Sequence, residues 1–556
     1  MDSGLGTYND SLIITATLTL ESGSFSVSSG SIIDLELNLN SWGFEGSIEF
    51  LVMAYPQKDG LLSAFEGTKP IPISVSVETN NMGTEQSSAV PLTISGVVSQ
   101  REFVEVTGNQ QATTLVKQNP VLYRRYRAGI MDPARYYWKM HFLQAIYSNS
   151  TYKTIISSQQ VSAINLAMSW DFLTTKYTQV FINAGAGLAR GKTASFYDFL
   201  IWLVDTNNGY WYYNYSNKQY NISSSAQSGG TTQNLSTLGL GVIKISPGQP
   251  KLSTLTVMNA VASGSTTKTI TNSNAVSPLR NDYVTIQPIP SDFTSFTTLQ
   301  TNRFQGSPVE VSWGYVTTPL VMPMPGVVIQ FETQSNNLST SSVLSGQKLS
   351  IKSVRLHAQQ IMVERETDSY GASNAGFVIS LEADAIDSST KLSFLPDFIS
   401  PIYPIRVQGT VYSEQGASSN LTYAFSQAQG SSEKYYQVQI PVWNNIKIQV
   451  PYQPVNMNGQ FYFPPYKNEQ VLVELGLTTS VLVSYLDWRS NAILPLDTQG
   501  NMIVLGQTDT SCTTIKHSYT NNQPQLDIYR QLSSDTETIS MGEGFILLQT
   551  KENSSS

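Results

Sequence analysis

Imidazole and thiol groups are scarce in this chain: three histidines, His141, His357 and His517, and one cysteine, Cys512. Only Cys512 and His517 lie close together in sequence, and no second pair completes a tetrahedral metal site. Both read more simply as strand residues. Glu382 and Asp384 stand two apart, on one face of an expected strand, and paired carboxylates are the groups a glycosidase uses. Acidic residues on a solvated strand face are the simpler reading. There is no glycine-rich phosphate loop and no nucleophile elbow. The 29 tyrosines and 8 tryptophans could stack on sugars, but aromatics are equally the residues of strands and interfaces. The chain is therefore expected to be no enzyme and to need no cofactor or metal.

Charged residues make up 13% of the 556, about half the usual share. The exterior must be rich in Ser, Thr, Asn, Gln and Tyr, as expected of a surface covered by other subunits or facing glycans. A net charge of −8 without a Lys/Arg cluster argues against nucleic acid, which requires counterion-releasing basic contacts. One cysteine excludes an internal disulfide framework. The N-terminus lacks a basic n-region and an apolar h-region, so a product made in the bacterial cytoplasm without a signal peptide is expected. The longest apolar run, "FLIWLV" at 199–204, is too short to span a bilayer, and no stable membrane insertion is expected. The length gives room for two to four domains.

The elements that must position these residues are mainly β. Over 30–53, Ile33, Leu35, Leu37 and Leu39 alternate with Asp34, Glu36, Asn38 and Asn40, and a Gly-containing turn follows, which predicts a half-buried hairpin. Similar alternation recurs at 73–77, 327–331, 378–381, 436–440 and 446–450. Helical spacing is clearest in "SFYDFLIWLVDTNNG", where Phe196, Phe199, Leu200 and Leu203 share a face, Ser195 caps the start and Asn208-Gly209 ends it. "WYYNYSNKQYNI" then reads as a hairpin. Low-complexity stretches at 223–236, 263–274 and 334–347 read as loops, and the proline-rich "SFLPDFISPIYPI" at 393–405 marks a boundary.

After that boundary come "PIYPIRVQGTVYS", "YYQVQIPVWNNIKIQVPYQP", "GQFYFPPYKNEQVLVELG", "SYLDWRSNAILPLDTQGNMIVLGQ" and "IKHSYTNNQPQLDIYRQ". This order resembles the spike half of the VgrG family, the hub-spike proteins of contractile injection systems and phage tail baseplates. Gly409-Thr410-Val411, Pro465 with Val471-Leu472-Val473, and Ile503-Val504-Leu505-Gly506 stand at the positions of the family's OB-fold barrel. Upstream, "SWGFEGSIEFLVM" and the Asp198-Phe199-Leu200 segment resemble its hub half. Lys467-Asn468-Glu469-Gln470 departs from the family, which often has a glycine in that turn, and this points to a phage-like or extracellular-injection branch. Because the sequence stops at Ser556, soon after the barrel, the long β-helix, lysozyme-like insert and effector domain of larger members are not expected here.

The resemblance implies tandem β-barrel hub domains over 1–392 (the second at about 100–260), an OB-fold domain at 393–506, and a short trimeric β-helix spike beginning at 507–556. It implies a homotrimer that nucleates an inner tube, meets baseplate proteins, carries cargo effectors and is driven through an envelope when a sheath contracts. The particle would stay cytoplasmic until firing or be released extracellularly. Pro464 and Pro465 are expected to form a stiff joint, with Val471, Val473 and Leu475 filling the barrel and Phe461 and Phe463 packing outward. Ile539, Met541, Phe545 and Leu547 share one two-residue phase and are expected to face a threefold axis. The competing reading is a strand paired within one subunit. Thr550 would contact a PAAR-type tip protein. A β-rich trimeric adhesin or receptor-binding fibre recognising glycans is the alternative to the whole reading.

Overall fold

The alternation at 30–53 folds as a hairpin: strands Ile32–Asn40 and Gly43–Tyr55 pair antiparallel, with Asn40 opposite Gly43. Leu35, Leu37 and Leu39 are buried while Glu36 is exposed, as a strand with one wet face requires. Leu122–Met131, Leu92–Val106, Pro72–Thr79, Tyr8–Leu20 and Ala375–Asp387 continue the sheet in that order. Leu349–Gln360 pairs with both Ala375–Asp387 and Ile32–Asn40. This strand closes the eight into an antiparallel barrel whose wall has no free edge. The other strands of this 13-stranded sheet extend from it, among them Val309–Tyr315 and Leu240–Pro247.

The computed structural model describes residues 8–55, 58–79, 91–106, 122–185, 192–227, 232–235, 240–260, 266–286, 290–315, 318–319, 322–331, 344, 346–361, 370–413, 420–421, 426–427, 434–451, 463, 465–495 and 498–552. The chain forms two units, each drawn from separated stretches. Met1–Phe142, Gln160–Phe172 and Ser195–Ser400 make the first; Leu143–Gln159, Leu173–Ala194 and Pro401–Ser556 make the second. The span 100–260, expected as a second barrel, is thus shared out. Leu92–Val106 and Leu122–Met131 lie in the barrel wall, and two segments join the C-terminal half. No helix among the described residues is long and apolar enough to cross a membrane.

The helix expected after Ser195 runs Phe196–Thr206, and Phe196, Phe199, Leu200 and Leu203 are all buried. Its start is a full capping box: the Ser195 hydroxyl accepts from the Asp198 amide, and the Asp198 carboxylate accepts from the Ser195 amide. Tyr210–Asn214 and Gln219–Ser223 follow as the expected hairpin. The stretch 263–274, read as a loop, contains the strand Thr266–Ile270, paired with Thr254–Asn259.

In the second unit, Ile405–Tyr412, Lys434–Ile440, Ile446–Pro451, Gln470–Leu475 and Ser480–Tyr485 form one antiparallel sheet. The Ser480 hydroxyl donates to the Gln449 carbonyl at 2.7 Å, joining the two outer strands. Numbered in chain order the ring runs 1-2-3-5-4-1, the strand order of an OB-fold barrel. Gly409 is needed here, because a Cβ would lie 2.5 Å from a methyl of Val438. Ile146 and Phe181 complete the core, so the barrel is filled partly from far upstream. The stretch 503–506, read as the barrel's closing strand, lies instead in Gly500–Thr508, which pairs with its neighbour Ser511–Thr520 through a short local turn.

Gly500–Thr508, Ser511–Thr520, Gln523–Leu532, Asp535–Gly542 and Phe545–Lys551 form a five-stranded meander. Each reversal has two residues, and three of the four are marked by left-handed backbone at both or one of them: Asn521 and Asn522 (φ 50° and 63°), Ser533 (φ 57°) and Gly544 (φ 77°). Two-residue reversals of this type match the natural twist of paired strands.

Candidate functional site

The chemistry-bearing residues do not converge. Cys512 and His517, five apart on one strand, point to opposite faces of the meander; Cys512 is buried against Asn491, and His517 packs edge-on against Tyr519. His357 meets Asp34 at 2.8 Å on the outside of the eight-stranded barrel, and the His141 ring rests on Phe196. Glu382 and Asp384 share one guanidinium, Arg355, at 3.6 and 3.5 Å. That arrangement makes them a surface ion cluster. Among the described residues no group of three or more His, Cys, Asp or Glu could hold a metal.

The meander is built differently on its two faces. Directly opposed partners share a face, so the pairings Ile503 to Ile515, Ile515 to Ile528, Ile528 to Ile539 and Ile539 to Leu548 lay one aliphatic rib across all five strands. Leu526, Met541 and Ile546 lie alongside it. Ile539 is 39% exposed and Leu548 72%. The other face satisfies itself with polar contacts: the Asp527 carboxylate accepts from Gln525 at 2.9 Å and from the Ser540 hydroxyl at 2.5 Å, and Tyr529 donates to Gln531.

The sequence placed Ile539, Met541, Phe545 and Leu547 in one phase, and the structure corrects this. The reversal at Glu543-Gly544 pairs Met541 with Ile546, which sends Phe545 and Leu547 to the polar face. Thr550 lies exposed on the last strand, opposite Glu537. Val471, Val473 and Leu475 are in the barrel core. Pro465 is buried and Phe463 half-buried, while Pro464 and Phe461 lie outside the described residues.

At the root of the meander, Arg489 gathers the joint. It donates to the Gly506 carbonyl at 3.0 Å, lies 3.9 Å from Asp509, and its guanidinium sits 5.8 Å from the Tyr466 ring centre. Glu469 is buried beside it and accepts from the Tyr466 amide at 2.9 Å. Gly506, at φ +141°, allows the close approach: a Cβ would lie 2.5 Å from the Ser511 carbonyl. The sequence flagged Lys467–Gln470 only as a departure from a motif, and Arg489 was missed because its partners are about twenty residues away on either side.

No family model matches the chain, and no curated protein matches it. Solved structures do. The chain is similar to a chain of the lidless PdpA-VgrG complex, with a TM-score of 0.72 and 12% identity over 98% of this chain and 99% of that one. It is similar to a chain of the lidded Francisella PdpA-VgrG complex, with a TM-score of 0.71 and 12% identity over 99% and 81%. The chain has a VgrG-like tail-hub fold. A weaker likeness, with a TM-score of 0.45 and 11% identity over 82% and 97%, is to an E. coli component of the type VI secretion system.

Within this VgrG-like fold, Asp198 does more than cap its helix. It accepts from Lys139 at 2.6 Å and from the Ile399 amide at 3.2 Å, so one carboxylate ties its own helix to the end of the helix Pro133–Trp138, which Lys139 caps, and to the stretch after Ala375–Asp387. Burial works to raise its pKa, but Lys139, Ser195 and Ile399 together outweigh that and hold it below the ordinary value. The motif Asp-Phe-Leu located the residue; nothing local in sequence revealed Lys139 or Ile399 as its partners.

Proposed function

We propose that the chain is the structural hub-spike subunit of a contractile injection system or phage-tail-like particle. Three copies set their meanders around a common axis, with the face of Ile528, Ile539, Met541 and Leu548 turned inward. The hub seats the inner tube and baseplate proteins, the end of the last strand near Thr550 receives a PAAR-type tip protein, and cargo effectors ride with the assembly. On sheath contraction the trimer is driven through the target envelope, and the role is mechanical rather than catalytic. The observation that carries this reading is the meander itself: a rib of exposed aliphatic side chains running across all five strands of one face needs other copies to dry it. The solved chains it resembles occur in PdpA-VgrG complexes, which supports assembly into a tail-like body.

Light scattering on the purified full chain is expected to give three times the 61.2 kDa of one chain, and negative-stain images a ring with a short central projection. A stable single subunit at micromolar concentration would overturn the trimer.

A further inference from the structure

We propose that the hub unit holds a binding site for one small hydroxylated carboxylic acid, of the size and chemistry of an acidic monosaccharide. A cavity of about 100 Å³ lies among Tyr210–Asn214, Leu349–Gln360 and the stretch 386–394. A water takes roughly 10–15 Å³ measured this way, so the space suits a single small molecule and not a peptide. Lys352 supplies the charge. It is the extra residue of a β-bulge between Ile351 and Ser353, the device by which strands re-aim a side chain next to a site. Its ammonium lies 4.8 Å from the centre of the Phe394 ring, and no Asp or Glu is among the described residues lining the cavity. In a chain with 40 acidic and 32 basic residues, such a site favours an anion.

Two residues of the wall, Ser41 and Gln227, each carry a buried side-chain oxygen with no hydrogen-bond partner among the described residues. Buried polar groups are normally satisfied, and ligand hydroxyls would satisfy both. Tyr210 and Tyr212, alternate residues of one strand, and Phe394 supply aromatic surface for a ring. The Tyr210 hydroxyl also donates to the Lys391 carbonyl at 2.7 Å, holding the 386–394 wall in place. A cation for a carboxylate, a hydroxyl and an acceptor for hydroxyls, and aromatic surface for a sugar ring together define the ligand class. An apolar occupant would leave both polar atoms unpaired, and inorganic phosphate would make no use of the aromatic wall.

The test titrates the full-length protein with glucuronate, followed by calorimetry and saturation-transfer NMR, with glucose and inorganic phosphate as comparators. Saturable glucuronate binding is expected, at least tenfold tighter than glucose, weakened at least tenfold in Lys352→Gln and retained in Lys352→Arg, with circular dichroism unchanged in both. Absence of saturable binding to the unmodified protein would overturn the site. So would equal affinity for phosphate, or an affinity that Lys352→Gln leaves untouched. None of these readouts depends on the oligomeric state, so the site and the hub-spike reading stand or fall separately.

Discussion

Two carboxyls buried in the protein titrate well above their ordinary range. Burial is the largest cause for Glu469, which is pushed up from 4.5 to about 7; the Tyr466 amide opposes the rise, Asp487 adds to it and Arg489 counters it. Asp132, sealed in the first unit, is raised from 3.8 to about 6, again chiefly by burial, against the hydrogen bonds of Tyr220 and Arg135. A group whose folded pKa exceeds its unfolded pKa contributes its stability fully below the unfolded value and loses it as pH rises through the folded one. For Asp132 the loss falls between pH 3.8 and 6 and amounts to about 3 kcal/mol; for Glu469 it falls between 4.5 and 7. Differential scanning calorimetry is therefore expected to show Glu469→Gln melting with the unmodified protein at pH 5 and a few degrees above it at pH 8. A variant no more stable at pH 8 would remove the buried-charge account of the joint. At Asp198 the sign is opposite. Asp198→Ala strands the Lys139 charge, the Ile399 amide and the helix start, and is expected to cost about 3 kcal/mol, read as an earlier transition of the first unit in urea. Asp198→Asn, which can still cap the helix, should recover part of that loss.

The meander shows what a strand pattern reveals and what it hides. Alternation within each strand is legible from the residues: Ile539 and Met541 share a phase, as do Phe545 and Leu547. The relation between strands depends on the length of the reversal, because a two-residue turn pairs an odd position with an even one and switches which phase lies on a given face. Counting straight through Glu543-Gly544 therefore merged two faces into one. The same limit explains the barrel. Its core strands at 436–440, 446–450 and 471–475 are readable locally, but Ile146 and Phe181 enter it from a stretch whose own pattern gives no sign of a distant partner. The helix after Ser195 was fully legible because cap, stripe and stop are all local. The register makes a clean prediction for the proposed trimer: Ile539→Asn or Leu548→Asn should dissociate it in light scattering at micromolar concentration, while Leu547→Asn on the polar face should leave its mass unchanged. Equal effects from both faces would mean that the rib is not the axis.

For the whole molecule, the sparse charge and the aliphatic rib point to the same kind of assembly force. Exposed ion pairs contribute about 0–1 kcal/mol each and weaken with salt, since the screening length falls from about 10 Å at 0.1 M to about 3 Å at 1 M. Burial of apolar surface does not weaken in that way, and is worth roughly 25 cal/mol for each Å² removed from water. With only 13% of residues charged, and with the rib-face ion pair Arg530 to Glu537 at 2.7 Å closed within one copy, three copies held by the rib should ignore ionic strength. The expected result is an unchanged trimer mass by light scattering from 0.1 to 1 M sodium chloride, alongside monomers from Ile528→Asp at every salt concentration. Dissociation of the unmodified protein at high salt would show that charge contacts elsewhere hold the copies together, and the aliphatic rib would then have to be covered by something other than its own copies.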